Sequence, residues 1–187
     1  MKDNIIGSIV ACALLLISYT IMLDNPKHDA QPKHFNKLVL DDKSFVDVEE
    51  LNCMTKNLYF EAGNQKTDTA MVAVGYTVLN RVKSKSYPSN VCGVVYQGHK
   101  TASGNFVKNK CQFSWVCDGK RDEPKNNYAE RKAYERAKRI ALDVLTNRAK
   151  NPIGNATLYH ATYVTPYWAR MSKRVRKIES HIFYSRA

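Results

Sequence analysis

Glu61 closes a helical pattern whose other members are apolar. Leu51, Met54 and Leu58 recur at three- and four-residue intervals, which puts them on one helix face. Glu61 continues that spacing, three residues past Leu58 and seven past Met54. A carboxyl group on a core-facing stripe is desolvated, and desolvation disfavours its charged form. An acid that keeps its proton near neutral pH is what general acid catalysis requires. The competing reading of a glutamate near a helix end is a solvated or ion-paired side chain with no chemistry attached.

Two helices must position that group. The first runs through Leu51 to Glu61, and the chain turns at Gly63-Asn64. Thr67 or Asp68 is the N-cap of a second helix from Thr69 to Val82. Its residues Ala70, Met71, Val72, Ala73, Val74, Val78 and Leu79 are apolar almost all round, as in a buried central helix. Lys83 to Ser89 is a polar turn. Val91 to Gln97 is a short apolar element, either a helical turn or a strand, and Gly98 to Lys110 is a basic, exposed loop.

Cys111 to Gly119, CQFSWVCDG, alternates aromatic with polar groups and ends in the turn signal Asp118-Gly119. Such a segment grips sugar faces and N-acetyl groups, or places Phe113 and Trp115 in the core of a small hairpin. Asn127 to Lys150 is an amphipathic helix with Ala133, Ala137, Ile140, Ala141, Val144 and Leu145 inside and a solvated basic face outside. Asn151-Pro152 and Gly154 stop it. Ala156 to Val164 alternates and is extended, with His160 as a structural histidine among aromatics. A basic cluster (Lys173, Arg174, Arg176, Lys177) precedes the apolar tail Ile182-Phe183-Tyr184.

The chain has 187 residues, 44% of them hydrophobic, which suits one domain with an appendage. Its 29 Lys and Arg against 17 Asp and Glu give a formal charge of +12. That excess favours polyanionic partners: nucleic acid, anionic lipid or an acidic wall polymer. Ile5 to Leu23 is an uncharged run of the length a bilayer span requires, without small residues at a cleavage site just beyond it. Residues 1–24 are therefore expected to be a transmembrane signal-anchor and 25–47 a linker, in which His28 and His34 are solvated. Residues 48–187 are the exported domain, on the periplasmic or extracytoplasmic side. Export argues against intracellular nucleic acid as partner.

Cys53, Cys92, Cys111 and Cys117 make an even set compatible with two disulfides in any of three connectivities. A zinc site of Cys111, Cys117, His160 and His181 would lack any CxxC or HxxxH element, and no metal is expected.

Several blocks in order carry a resemblance: YFEA at Tyr59–Ala62, LNRV at Leu79–Val82, YPSNVCGVVYQG at Tyr87–Gly98, CQFSWVCDG at Cys111–Gly119, YHATYVTPYWA at Tyr159–Ala169 and HIFY at His181–Tyr184. Together they resemble the SleB-type cell-wall hydrolases, known from spore-cortex-lytic enzymes and from phage and bacterial peptidoglycan hydrolases. The resemblance covers Leu51 to Tyr184. It implies a mainly α domain with a small β element (α+β), lysozyme- or lytic-transglycosylase-like, acting on peptidoglycan glycan strands without cofactor. It makes Glu61 the catalytic acid, and Gln112, Phe113, Ser114, Trp115, Tyr159 and His160 the residues that bind glycan. The chain departs from the family where Gly63 follows Ala62 directly, since relatives read EARG or EARN there.

Two-carboxylate glycosidases need a second acid close to the first. Asp68 is accounted for as an N-cap, and Asp118, Asp122 and Glu123 belong to a turn-rich, solvent-facing loop. A lytic transglycosylase is therefore expected, in which Glu61 alone handles the proton. A muramidase with a second carboxylate and a tethered, non-catalytic wall binder are the alternatives.

Overall fold

The structure is a computed structural model that describes residues 37–41 and 44–186. The apolar run and the anchor expected from it lie outside the described residues, as does the first part of the linker. Among the described residues no helix is long and apolar enough to cross a membrane.

The last part of the expected linker is ordered as an antiparallel hairpin of β1 (Lys37–Asp41) and β2 (Ser44–Asp47). A two-stranded pairing of so few residues has no period long enough to stand out in sequence. The helix α1, Val48–Ala62, follows at once. Asp47 caps it, its Oδ1 accepting from Glu49 N at 2.8 Å and Glu50 N at 3.2 Å, and Glu49 and Glu50 complement the positive end of the helix dipole. The second helix, α2, spans Asp68–Val82 with Thr67 at the N-cap. Asp68 lies just inside it and pairs with Arg136 (2.8 Å) and Arg139 (2.7 Å), so its carboxylate serves packing rather than chemistry.

Val91–Val95 is a short helix, α3, capped by Asn90 Oδ1 on Gly93 N at 2.6 Å. Glu50 adds a second anchor there, accepting from Val91 N (2.7 Å) and Cys92 N (3.2 Å), and the Cys53–Cys92 disulfide ties α1 to the same turn. The basic stretch expected as a loop is a hairpin, β3 (Gly98–Lys100) with β4 (Phe106–Cys111), and it is exposed. Ser114–Cys117 is a 3-10 turn rather than a strand, held by the Cys111–Cys117 disulfide. That bond fixes the connectivity, and it leaves Cys111 and Cys117 no thiolate for a zinc ion.

The amphipathic helix α4 runs Tyr128–Leu145, shorter than expected, and Ala137, Ile140, Ala141 and Val144 are its buried stripe. It packs against α1 and α2. Gly75 permits the close approach: a Cβ there would lie 3.1 Å and 3.2 Å from the Val144 methyl carbons. A three-stranded antiparallel sheet completes the fold, in the order β5 (Leu158–Ala161), β7 (His181–Arg186), β6 (Ser172–Ile178), with a second 3-10 turn at Tyr167–Met171. The core fills the space between them, with Met54, Leu58, Met71, Val74, Val78, Phe113, Ile140, Ile153 and Phe183 all but inaccessible. The architecture is mixed α and β, with four helices and three small sheets among the described residues.

Candidate active site

α1 delivers Glu61 to its end as the periodicity requires. Leu51, Met54 and Leu58 on the same face are buried, and Glu61 emerges half-buried in a cleft of about 960 Å³. The opposite wall is β5, whose Tyr159 donates its hydroxyl to Glu61 Oε2 at 2.7 Å. That is the one hydrogen bond of the carboxyl group among the described residues. Burial pushes the Glu61 pKa up; the Tyr159 hydrogen bond and the positive charge of Arg81 pull against it without reversing the sign. Burial, and then Glu61 itself, hold Tyr159 well above the usual phenol range, so it stays a neutral donor.

Arg81 is a cation at the end of an apolar helix, and periodicity offers no partner for it. Its Nε donates to Thr157 O at 2.9 Å, and its guanidinium lies over the rings of Tyr87 (5.3 Å) and Phe113 (5.1 Å). Neighbouring Asn80 donates to Gly154 O and Ala156 O, both at 2.8 Å. The end of α2 thus sets the approach of the chain to β5, and with it the position of Tyr159. Burial draws the Arg81 pKa down, but an arginine so placed remains a cation that favours the ionised form of Glu61. Its role was not read from sequence; the signal available was a charge in an otherwise apolar helix.

The turn after Glu61 is clamped from two sides. Gly63 N donates to Tyr59 O at 2.9 Å and ends α1 in helical geometry. Arg136 of α4 donates to Gln65 O at 2.9 Å. From the β6–β7 turn, Glu179 accepts from Lys66 N (2.9 Å), Thr67 N (2.7 Å) and the Thr67 hydroxyl, while Gln65 Oε1 accepts from Ser180 Oγ at 2.8 Å. The departure at Gly63 is thereby absorbed by long-range contacts that hold the turn in one geometry.

The six residues expected to bind glycan separate. Gln112 and Ser114 line the cleft with exposed side chains, and Tyr159 forms its wall. Trp115 borders it but is mostly buried: its indole N–H donates to Asn57 Oδ1 at 3.1 Å and one face stacks on Phe60 at 4.7 Å. Phe113 does not reach the cleft. It is 1% exposed in the core beneath Arg81: its extended backbone turns it inward between the exposed Gln112 and Ser114, the alternation of a strand, before the 3-10 turn begins at Ser114. His160 borders the cleft with both ring nitrogens engaged, Nδ1 with Ala161 O at 2.9 Å and Nε2 with the Tyr184 hydroxyl at 3.0 Å. The Ala161 carbonyl accepts and the Tyr184 hydroxyl can donate or accept, so both ring nitrogens are satisfied within the fold, as for a structural histidine.

The acids expected to face solvent also line the cleft. Asp118 accepts from Lys120 N at 2.8 Å and Glu123 pairs with Lys56 at 2.7 Å; Glu130, which sequence did not single out, lines the cleft as well and accepts a hydrogen bond from the Tyr59 hydroxyl. Burial and Glu130 push the Tyr59 pKa up to about 12. Asp122 has no hydrogen-bond partner among the described residues, and burial, with Asp118 and Glu123 nearby, raises its pKa. His181, edge-on to Tyr159 at 5.2 Å, completes the wall, and burial draws its pKa down against the pull of Glu179. The reach of these side chains into one cleft depends on tertiary packing, so sequence spacing could not show it. Among the described residues no group of three or more His, Cys, Asp or Glu is arranged to hold a metal ion.

The profile of the family described as Cell Wall Hydrolase matches residues 65–184, well over half of the chain, beginning four residues after Glu61. The chain is similar to the spore cortex-lytic enzyme of Halalkalibacterium halodurans, 27% identical over 135 residues that cover 72% of this chain and 34% of that protein. It is similar also to the spore cortex-lytic enzyme of Bacillus cereus, 28% identical over 135 residues that cover 72% of this chain and 43% of that protein. The chain thus spans less than half the length of these curated relatives. Among solved structures, the catalytic domain of the Bacillus cereus SleB protein matches with a TM-score of 0.54 at 28% identity, over 73% of this chain and 89% of that one. The catalytic domain of the germination-specific lytic transglycosylase SleB from Bacillus anthracis matches with a TM-score of 0.56 at 26% identity, over 75% of this chain and 97% of that one. With an α+β fold like that of those catalytic domains and a profile match over residues 65–184, the chain belongs to the cell wall hydrolase family.

Proposed function

We propose that this chain cleaves the bond between N-acetylmuramic acid and N-acetylglucosamine in peptidoglycan, as a lytic transglycosylase with Glu61 as the acid and base. The observation that carries this reading is the Glu61 carboxyl group itself, held up in pKa by burial and hydrogen-bonded among the described residues to the Tyr159 hydroxyl alone. Protonated Glu61 gives its proton to the glycosidic oxygen, and the glucosamine end leaves. Positive charge then develops at C1 of the muramic ring, beside a carboxylate that Tyr159 and Arg81 stabilise. The muramic C6 oxygen closes on C1, and its proton returns to Glu61. Atoms balance without water, and the enzyme is regenerated. Gln112 and Ser114 supply polar contacts to the sugar along the cleft, and Trp115 supplies an aromatic border. The apolar run at residues 5–23 is the basis for placing this activity at a membrane, on its extracytoplasmic side.

A second reading has one observation in its favour. Asp122 lines the same cleft without a hydrogen-bond partner among the described residues. As a general base it would activate a water and make the protein a muramidase. Mass analysis of muropeptides released from purified peptidoglycan separates the two. Products ending in 1,6-anhydromuramic acid, one water lighter than a reducing end, support the transglycosylase. Reducing ends, together with loss of activity in Asp122→Asn, support the muramidase.

A further inference from the structure

We propose that residues 162–177 form a second contact surface for peptidoglycan that runs outward from the cleft, one that recognises the carboxylates of its stem peptides. This rests on the proposed substrate. The segment presents Tyr163 (86% exposed), Tyr167 (80%), Met171 (64%), Val164 and Val175 to solvent, most of the large apolar side chains exposed among the described residues. So many exposed apolar side chains within sixteen residues are a reason to look for an interaction site there. From Leu158 to Ile178 there is no Asp or Glu. Arg170, Lys173, Arg174 and Lys177 are exposed, and none belongs to an ion pair among the described residues. Arg176 differs, since it donates to Pro152 O at 3.2 Å.

The surface is held in place from beneath. Trp168 packs edge-on against His160 and Tyr184, each at 5.6 Å, and its carbonyl accepts from Ser172 Oγ at 3.0 Å. Tyr167 and Arg170, three apart on a 3-10 turn, share a side. The turn leads directly into β6, an edge strand of its sheet that carries Lys173 and Arg174. An exposed Tyr offers a flat apolar body with a polar tip, suited to a sugar face. Arg170 on the same side of the turn, and the unpaired Lys173 and Arg174 of the strand that follows, suit carboxylates, in charge-assisted hydrogen bonds.

Continuity decides which polyanion fits. Tyr163 and Val164 also line the cleft, so a strand leaving the cleft passes onto this surface. A bilayer seated on the same residues would cover the cleft mouth and exclude the substrate.

The test uses the full chain carrying Glu61→Gln, so that binding is read without cutting. Sedimentation with purified sacculi should show about tenfold weaker binding on adding Arg170→Gln, Lys173→Gln and Arg174→Gln, the combined effect of three exposed charge pairs. Tyr167→Ala should weaken it separately. Sacculi stripped of stem peptides by an amidase should bind the parent only as well as intact sacculi bind the triple variant. With Glu61 restored, parent and triple variant should cut peptide-free glycan at equal rates. If the parent cuts neither substrate, the catalytic reading fails while sedimentation still judges this surface. Equal sedimentation of parent and triple variant overturns the proposal. So does a triple variant that keeps its hold on sacculi but loses one on phosphatidylglycerol vesicles, which would make the patch a lipid surface.

Discussion

Replacing Tyr159 by Phe removes one oxygen from the wall of the cleft. The ring keeps its contacts with His181 at 5.2 Å and Phe183 at 5.5 Å, and the pairing of β5 with β7 is a backbone matter that does not involve the hydroxyl. What disappears is the 2.7 Å hydrogen bond to Glu61 Oε2. A hydrogen bond to a charged group contributes about 1.5 to 3 kcal/mol, and about 1.4 kcal/mol is a factor of ten. In the proposed cycle the carboxylate form of Glu61 exists just after the glycosidic oxygen has taken the proton. Losing its donor at that point should lower kcat about ten- to hundredfold. The pH profile has its own sign. The Tyr159 bond lowers the Glu61 pKa against the effect of burial, so its removal raises that pKa further. The alkaline limb of kcat must then move to higher pH. Initial rates of muropeptide release from sacculi, measured across pH for both proteins, read both effects. A variant whose rate falls with the limb in place would reduce Tyr159 to a packing residue. A limb displaced to lower pH, or an unchanged rate, would refute the account of Glu61 altogether.

Glu61→Gln should lower activity about a hundred- to ten-thousandfold, the range for one positioned acid–base group, with the fold intact by circular dichroism. Its stability carries a second signature. A carboxyl pKa raised in the folded state means that stability is lost as pH climbs from the unfolded value, about 4.3, through the folded one, because the unfolded chain releases its proton first. Gln has no proton to lose, so the variant should gain in melting temperature relative to the parent over that window; a parent that gains instead contradicts the burial argument. Phe113→Ala should cost about 3 to 5 kcal/mol, as a large core truncation does. Ser114→Ala should stay within about 0.5 kcal/mol and show itself in KM on glycan instead, both being separable by urea melts and kinetics. The disulfides should differ in value, since Cys53–Cys92 joins residues 39 apart and Cys111–Cys117 residues only 6 apart. Loop-closure entropy gives about 4 and about 2 kcal/mol, and equal losses in the paired Cys→Ser variants would contradict it.

What the amino-acid order determined by itself is local. The interval from Leu51 through Met54 and Leu58 to Glu61 put the acid on the buried face of α1, because helix phase is set within a few residues by backbone geometry. The same local rule made α2 a buried helix and α4 an amphipathic one, with boundaries off by a few residues where caps and tertiary contacts trimmed the ends. The four cysteines were legible as disulfide partners, but their pairing was not, since it depends on which turns meet in space. Tertiary structure alone decided the surroundings of the acid. Tyr159 reaches Glu61 from 98 residues away, and Glu179 fixes the turn beside it from 112 residues away. Arg81 finds its partners in Thr157, Tyr87 and Phe113. No spacing rule links such positions, because the distance between them is set by how helices and sheet pack rather than by chain period. The segment Phe113 to Trp115 is the sharpest case: sequence left Phe113 and Trp115 between gripping a sugar and filling the core, and packing sent Phe113 into the core, left Ser114 to the cleft and divided Trp115 between the two.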